Sequence, residues 1–309
     1  MNKRLMLHAP ARITIAICTR NRAATLEPAI QSLLSQLGDG VDLLVVDNSS
    51  TDSTPEVLLI CARGNPHITI RQEKTIGIAP ARNAALRFAV GDWVLFFDDD
   101  ELAPRYWIQK YRAFFVSHPH PPVAAVGGGC EPQFDCQPPP WYNVERARFY
   151  LGTSDFKLTS ERTPGAGNCA YHRKTVLQLG GFSNELVRAE DTDLNMRLQK
   201  AGHEVWWLAG APILHLTPVS RTTIGSTVQV AFIEGRAYGR LRLKHCDGIV
   251  AREVYRFARL LSAPCYSMAL LLLAGVTAPL RQRQVAARTL QRFARSAGMG
   301  WQLFIDLVD

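Results

Sequence analysis

Three times in the first hundred residues a short apolar run stops abruptly at a polar cluster. Ile13–Ile17 leads into Thr19–Arg22, Leu43–Val46 into Asp47–Asp52, and Trp93–Phe97 into Asp98–Glu101. Between these runs lie helix-like segments: Ala24–Leu37, with Leu26, Ile30, Leu33, Leu34 and Leu37 at helical spacing, Pro55–Ala62, and Ile78–Ala89, the last preceded by a further strand-like run at Ile68–Arg71. Apolar runs of this length, without polar alternation, read as strands buried on both faces. Strands alternating with helices form a mostly parallel sheet covered by helices, an α/β class. Ligands of such sheets bind beyond the carboxyl ends of the strands, which is where all three polar clusters fall.

The middle of the chain is less regular. Val123–Val126 reads as a strand followed by Gly127–Gly129, Pro138–Pro140 with Trp141 as a loop, and Val205–Leu208 as another strand. A helix starts near Asp191, with Leu194, Leu198 and Ala201 on one face, and stops at Gly202. Hydrophobic residues make up 47% of the 309 and charged residues 20%, enough apolar material for a real core and too much for a disordered chain. Seven scattered cysteines without CxxC or CxxH spacing exclude a zinc knuckle or disulfide framework and fit a reducing cytosol. Met1–Arg12 is mixed and basic and lacks the apolar core of a secretory signal.

The net charge of +8 is unevenly placed. Residues 1–235 hold 23 basic and 23 acidic side chains, and residues 236–309 hold 12 basic and 4 acidic ones. A basic tail suits nucleic acid or an anionic membrane surface. Leu260–Leu280 is free of charge between Arg259 and Arg281, about the length that spans a bilayer. Pro264, Gly275 and Pro279 interrupt it, so three readings stand: a helix lying on or re-entering the membrane, a span, or a buried hairpin. The five arginines of Arg281–Arg295 suit lipid headgroups. The segmentation expected is 1–105, 106–220 and a basic helical region at 221–309.

Four consecutive acids, Asp98-Asp99-Asp100-Glu101, repel one another unless a cation or hydrogen-bond donors compensate; hard divalent cations take such oxygen ligands and keep phosphates as partners. The ordinary reading is a solvated turn with a helix cap. Asp47 can accept from a nucleobase N–H, or simply serve the Asn/Ser/Asp-rich turn that follows it. Arg20 and Arg22, in Thr19-Arg20-Asn21-Arg22, can bind phosphate or stack on a base, or be loop charges. Arg82, opening a helix with Asn83, can reach a diphosphate or pair with an aspartate. Asp191 can be a helix cap, with Asp193 pairing Arg197. Trp206 and Trp207 read as core.

Taken in order, IAICTRNRAATLEPAIQSL, LLVVDNSSTDST, GIAPARNAAL, VLFFDDDE, GAGNCAYHRKTVLQLGGF and AEDTDLNMRLQKAGHEVWWL resemble family 2 glycosyltransferases with a GT-A fold, above all the bacterial exopolysaccharide or succinoglycan type. The resemblance covers roughly residues 12–216. It implies a Rossmann-like nucleotide-diphospho-sugar fold, in two halves for nucleotide and acceptor, with a C-terminal helical extension that associates with membrane. It implies transfer of a sugar from a nucleotide diphosphate with inversion, in cell-surface polysaccharide synthesis.

By the same resemblance Asp47 reads the base, Thr19, Arg20, Asn21 and Arg22 line the nucleotide pocket, and Arg82 and Asn83 lie beside the donor. Asp98 and Asp99 meet the ribose or donor sugar, and Asp100, with Asp98 and His215 as further candidates, holds Mn²⁺ or Mg²⁺. Asp191 is the general base, while Gly167, Asn168, Glu190 and Trp141 face the acceptor, a glycan or a polyprenyl-diphosphate-linked saccharide at the inner face of the cell membrane. One rival is a sugar-nucleotide nucleotidyltransferase, but no Gly-rich loop follows the first strand. Another is a non-catalytic nucleotide- or membrane-binding adaptor, whose tail fits and whose acid cluster does not; that cluster also speaks against a nucleic-acid partner. Neither GxxxxGK[ST] nor GxGxxG is present where a P-loop or nicotinamide enzyme needs it.

Overall fold

Strand β1 (Ile13–Thr19) runs parallel to both of its neighbours, β2 (Val41–Asp47) on one side and β4 (Trp93–Phe97) on the other, and β3 (Ile68–Gln72) extends the sheet past β2. The crossovers are α1 (Ala23–Leu34), α2 (Thr54–Ala62) and α3 (Ile78–Phe88). The computed structural model describes residues 11–118, 120–159, 163–246, 248 and 289–299.

The apolar runs lack alternation because both faces are covered. Ile13, Ile15 and Ile17 pack in one core with Leu26, Ala29, Ile30 and Leu33 of α1. Ala16, Val94 and Phe96 pack in a second with Ala81, Ala84, Ala85 and Leu86 of α3. Each fully buried large aliphatic side chain contributes about 1.5–3 kcal/mol.

The sheet continues antiparallel. Its remaining elements are β5 (Glu101–Leu102), α4 (Trp107–Ser117), β6 (Val123–Phe134), α5 (Val144–Ala147), β7 (Phe156–Lys157), β8 (Asn168–His172), α6 (Arg173–Gln178), α7 (Glu190–Lys200) and β9 (Glu204–Thr217). The nine described strands follow the order β3-β2-β1-β4-β8-β6-β9-β5, with β7 on β9. Pairing is antiparallel for β4 with β8, β6 with β8, and β5 and β7 with β9. The strand expected at Val123–Val126 runs on through its glycines to Phe134. A Cβ on Gly128 would lie 2.2 Å from the Ala211 carbonyl oxygen, so the backbone contact itself requires a residue without a side chain. Helix α4 carries Trp107, Tyr111 and Phe115 on one buried face, an aromatic ladder with ring centroids 5.5 and 6.2 Å apart.

Two compact units emerge. The first comprises residues 1–132, 148–184 and 190–216, the second 133–147, 185–189 and 217–309. The boundary expected after 105 falls inside the first unit, and that after 220 falls inside a 3-10 turn (Val219–Thr222) of the second. The second unit also holds α8 (Ile224–His245), whose first turn is capped by the Thr223 hydroxyl accepting from the Ser226 amide at 3.2 Å. Basic helices expected from Thr222 onward are therefore present in α8 and again at 289–299. The apolar stretch Leu260–Leu280 and most of Arg281–Arg295 lie outside the described residues. Among the described residues no helix is long and apolar enough to cross a membrane, and the six cysteines described are free thiols.

Candidate active site

The parallel register brings the ends of β1, β2 and β4 to one sheet edge: Thr19 pairs with Asp47, and Ile17 pairs with Phe97 just before the acid run. The loops leaving β1 and β2 are stitched together. Asn21 Oδ1 accepts from the Thr51 amide at 2.7 Å, the Asn21 amide donates to Ser50 Oγ at 3.0 Å, and the Arg22 amide donates to Thr54 Oγ1 at 2.9 Å. Asn21 and Ser49 adopt left-handed φ values of 55° and 58°, the conformation this tight joining demands. Asp47 is buried, and its Oδ1 accepts from the Ser50 amide at 3.1 Å. Thr19 is buried and Arg20 is exposed.

Asn48, in the Asn/Ser/Asp-rich turn after Asp47, braces the site through backbone contacts. Its Nδ2 donates to the carbonyls of Glu73 and Thr75 at 2.9 and 2.8 Å, and its Oδ1 accepts from the Gly77 amide at 2.8 Å. One side chain thus joins the end of β2 to the start of α3. Its position beside Asp47, in a residue type able to mimic backbone, was the available signal.

The acid turn is held from within and from both sides. Glu101 Oε2 accepts from the Asp98 amide at 2.8 Å. Arg22 approaches Asp99 at 3.5 Å and Asp100 at 3.8 Å, and His215 Nε2 lies 3.4 Å from Asp100 Oδ1. His215 is presented there because it pairs with Glu101 in the β5–β9 ladder. Burial pushes the Asp99 carboxyl up to about 6 although the Thr19 hydroxyl and then Arg22 work the other way, and burial with the neighbouring Asp98 charge raises Glu101 well above its ordinary value. Glu101 carried no assigned role in the sequence beyond membership of the acid run.

Opposite stands the first turn of α7. Asp191 Oδ2 accepts from the Ala166 amide at 3.0 Å and Oδ1 from the Thr192 amide at 2.7 Å. A Cβ on Gly165 would lie 3.6 Å from Asp191 Oδ2, whereas one on Gly167 would lie 2.6 Å from Asp98 Oδ2 and 2.7 Å from Glu101 Oε1. The 165–167 loop therefore touches the acid of α7 at one end and the acid turn at the other.

Several expected contacts are used differently. Arg82, left open between a diphosphate and an ion pair, is buried and paired with Glu190 and with Asp98, the latter at 3.5 Å. Burial opposes its charge, but Glu190, Asp98 and Asp191 hold the guanidinium above its ordinary value. Glu190, expected toward the acceptor, is the buried partner in that pair; burial pushes it up to about 7 although Arg82 works the other way. Asn83, expected beside the donor, engages the Phe182 backbone with both ends of its amide at 2.8 Å. Asn168, expected toward the acceptor, is likewise absorbed by the fold. Its Oδ1 accepts from Trp107 Nε1 and Tyr111 Oη at 2.9 and 2.7 Å, and its Nδ2 donates to the carbonyls of Gly129 and Ala211 at 2.8 and 2.7 Å. Trp141 belongs to the second unit, edge-on to Tyr142. Asp193 pairs with Arg197 at 2.8 Å, and Trp207 is fully buried.

Among the described residues no set of three or more His, Cys, Asp or Glu side chains is arranged to hold a metal ion. Magnesium-like ions, however, are commonly held by one or two carboxylates together with substrate phosphates. Asp98 and Asp100 supply that donor chemistry, with His215 beside Asp100. The residues present fit a hard divalent cation.

A family model described as glycosyl transferase family 2 matches residues 14–180. The succinoglycan biosynthesis protein ExoO of Rhizobium meliloti is 36% identical over 90 residues, 29% of this chain and 25% of ExoO. The UDP-Glc:alpha-D-GlcNAc-diphosphoundecaprenol beta-1,3-glucosyltransferase WfaP of Escherichia coli is 31% identical over 96 residues, 31% of this chain and 36% of WfaP. Other curated relatives are spanned for 15% to 69% of their own length. The solved mannosyltransferase PcManGT of Pyrobaculum calidifontis, in complex with GDP-Man and Mn²⁺, superposes with a TM-score of 0.62 at 20% identity, covering 93% of this chain and 86% of that one. That likeness shows the fold, the GT-A arrangement of a mixed sheet flanked by helices.

Proposed function

The chain belongs to glycosyl transferase family 2, and from that premise we propose that it moves a sugar from a nucleoside diphosphate sugar, a UDP-sugar foremost, to a hydroxyl of a glycan or polyprenyl-diphosphate-linked saccharide, with inversion at the anomeric carbon. The single observation that carries the reading is the 165–167 loop, which bonds Asp191 through the Ala166 amide and rests Gly167 on Asp98 and Glu101. A base-like acid and a phosphate-side acid cluster are thereby neighbours at the carboxyl edge of the sheet.

Asp47 and the Thr19 hydroxyl receive the nucleoside, and Arg22 lies at the acid turn where the diphosphate would sit. In the transfer step the acceptor oxygen bonds to the anomeric carbon from the face opposite the diphosphate. The carbon–oxygen bond to the diphosphate breaks, its electron pair leaves with the nucleoside diphosphate, and Asp191 takes the acceptor proton. One displacement needs one base and no covalent sugar–protein intermediate. Asp98 and Asp100, with His215 adjoining, would hold a Mn²⁺ or Mg²⁺ ion, which when bound neutralises charge on the departing diphosphate. The names of WfaP and ExoO support a UDP-sugar donor, a lipid-diphosphate acceptor and a role in surface polysaccharide.

The test is a screen of UDP-, dTDP- and GDP-sugars with Mn²⁺ and with EDTA, read as release of nucleoside diphosphate. Release from one class, lost in EDTA, is expected; no release from any donor under either condition overturns the reading, and full activity in EDTA removes the cation from it. The charge surplus of residues 236–309 supports a place at an anionic membrane face on the cytoplasmic side. The full chain should sediment with phosphatidylglycerol vesicles and not with phosphatidylcholine ones; equal recovery in both supernatants would remove the membrane from the proposal.

A further inference from the structure

Two adjacent acids open α7, and they face different partners. Asp191 turns to the Ala166 amide, whereas Glu190 is bonded to Arg82, 108 positions earlier in the chain. Successive helical residues point about 100° apart, so one acid can serve as an anchor while the next is presented to the site. Arg82 comes from α3 and also reaches Asp98, at the end of β4. Its guanidinium lies 5.9 Å from the Phe96 ring centroid and 5.7 Å from that of Phe182. Arg82 and Glu190 are both buried, whereas the Asp98 side chain is 41% exposed. Three elements, α3, α7 and β4, meet on one guanidinium.

Taking both members of an ion pair out of water gains little stability over an apolar pair of the same shape. What a buried pair does supply is a fixed geometry, here between the acid beside the base and the acid on the donor side. We propose that Arg82 and Glu190 are positioning residues: their ion pair sets the start of α7, and with it Asp191, against Asp98, without either side chain binding donor or acceptor. This rests on the reading that Asp191 takes the acceptor proton. It assigns Arg82 a role other than diphosphate ligand and Glu190 a role other than acceptor contact.

The two roles separate in kinetics. A diphosphate ligand, when removed, weakens donor binding; a positioning pair, when removed, lowers kcat and leaves donor binding alone. Glu190→Gln keeps the shape and a hydrogen-bond acceptor, and Arg82→Lys keeps the charge without the planar fork. Measured on the full chain, each variant should lower kcat by about 10- to 100-fold. The Kd for UDP with Mn²⁺, by calorimetry, should stay within about 3-fold of wild type, and the double variant should lose no more than the worse single one, as coupled sites do. A wild-type kcat in Glu190→Gln overturns the proposal, as does a UDP Kd raised more than about 10-fold in Arg82→Lys alone, which would make Arg82 a donor ligand. Loss of the circular dichroism melt in both variants assigns the pair to stability and overturns it too. Asp191→Asn is the control on the underlying reading: near-normal turnover there sinks the base assignment and the proposal with it, whereas a wild-type kcat in Glu190→Gln beside an inactive Asp191→Asn sinks the positioning role alone.

Discussion

Asp191 Oδ2 accepts a hydrogen bond from the Ala166 amide at 3.0 Å, so the acid that opens α7 is aimed by the same loop that lies on the acid turn. Replacing Asp191 by Asn preserves one oxygen able to accept that bond, removes the ability to take a proton, and gives up the second accepted bond, from the Thr192 amide. Turnover should fall by about 10²–10⁴-fold, the usual worth of general-base catalysis. UDP affinity should be retained. Parallel rate and calorimetric measurements on the purified variant check both halves; a variant within a few-fold of wild-type turnover would show that another group receives the proton.

Gly167 is the point where the loop meets the acids. A methyl group placed there would stand 2.6 Å from Asp98 Oδ2 and 2.7 Å from Glu101 Oε1. Glu101 cannot give way freely, because its other oxygen holds the Asp98 amide and the residue is buried. Gly167→Ala should cost about 1–3 kcal/mol of stability, as overpacking does, and should weaken UDP binding. A thermal melt with a UDP titration tests this, and an unchanged melt with unchanged binding would mean that the loop stands off the turn in solution.

The parallel half of the sheet was legible in sequence because β1, β2 and β4 are covered on both faces and therefore read as unbroken apolar runs ending at Thr19, Asp47 and Asp98. Strand β8 was not. Asn-Cys-Ala-Tyr-His has no period of its own, and its strand state follows from antiparallel pairing with β4, a tertiary effect. The edge at which the acids gather was readable from strand ends, and so was an aspartate partner for Arg82, but its pairing with Glu190 and the uses of Asn83 and Asn168 were not. Each finds its partner through the fold, Arg82 with Glu190, Asn83 with the Phe182 backbone, Asn168 with Trp107 and Tyr111, and sequence spacing does not encode contacts made between such distant parts of the chain.

Away from the site, His172 stacks on His120 with ring centroids 3.5 Å apart and lies edge-on to Trp93. Burial, then the His120 ring, brings its pKa down to about 4, below its ordinary value near 6.5. Between those limits the unfolded chain binds more protons at this residue than the folded one, so its contribution to stability is present above about pH 6.5 and is lost as the pH falls toward 4. Other groups titrate in the same window, Glu190 with the opposite sign. The prediction is therefore a difference: between pH 7 and pH 4.5 the urea midpoint of wild type should decline relative to that of His172→Gln. Parallel curves for the two proteins would show that the imidazole is free to protonate in the folded state.

Asp47 is buried at the carboxyl end of β2, held by the Ser50 amide at 3.1 Å and set in register with Thr19. A carboxylate in that place can accept an N–H from uracil or thymine, whereas the carboxamide introduced by Asp47→Asn would offer a neutral, weaker acceptor. A hydrogen bond to a charged group is worth about 1.5–3 kcal/mol, which corresponds to roughly 10- to 150-fold in binding. Asp47→Asn should raise the Kd for UDP by up to that factor while leaving kcat at saturating donor close to wild type, because the base lies far from the bond that breaks. Titration of wild type and variant with UDP and with inorganic pyrophosphate, both with Mn²⁺, separates base recognition from phosphate recognition. Equal weakening toward both ligands would mean that Asp47 supports the loop through Ser50 and does not read the base.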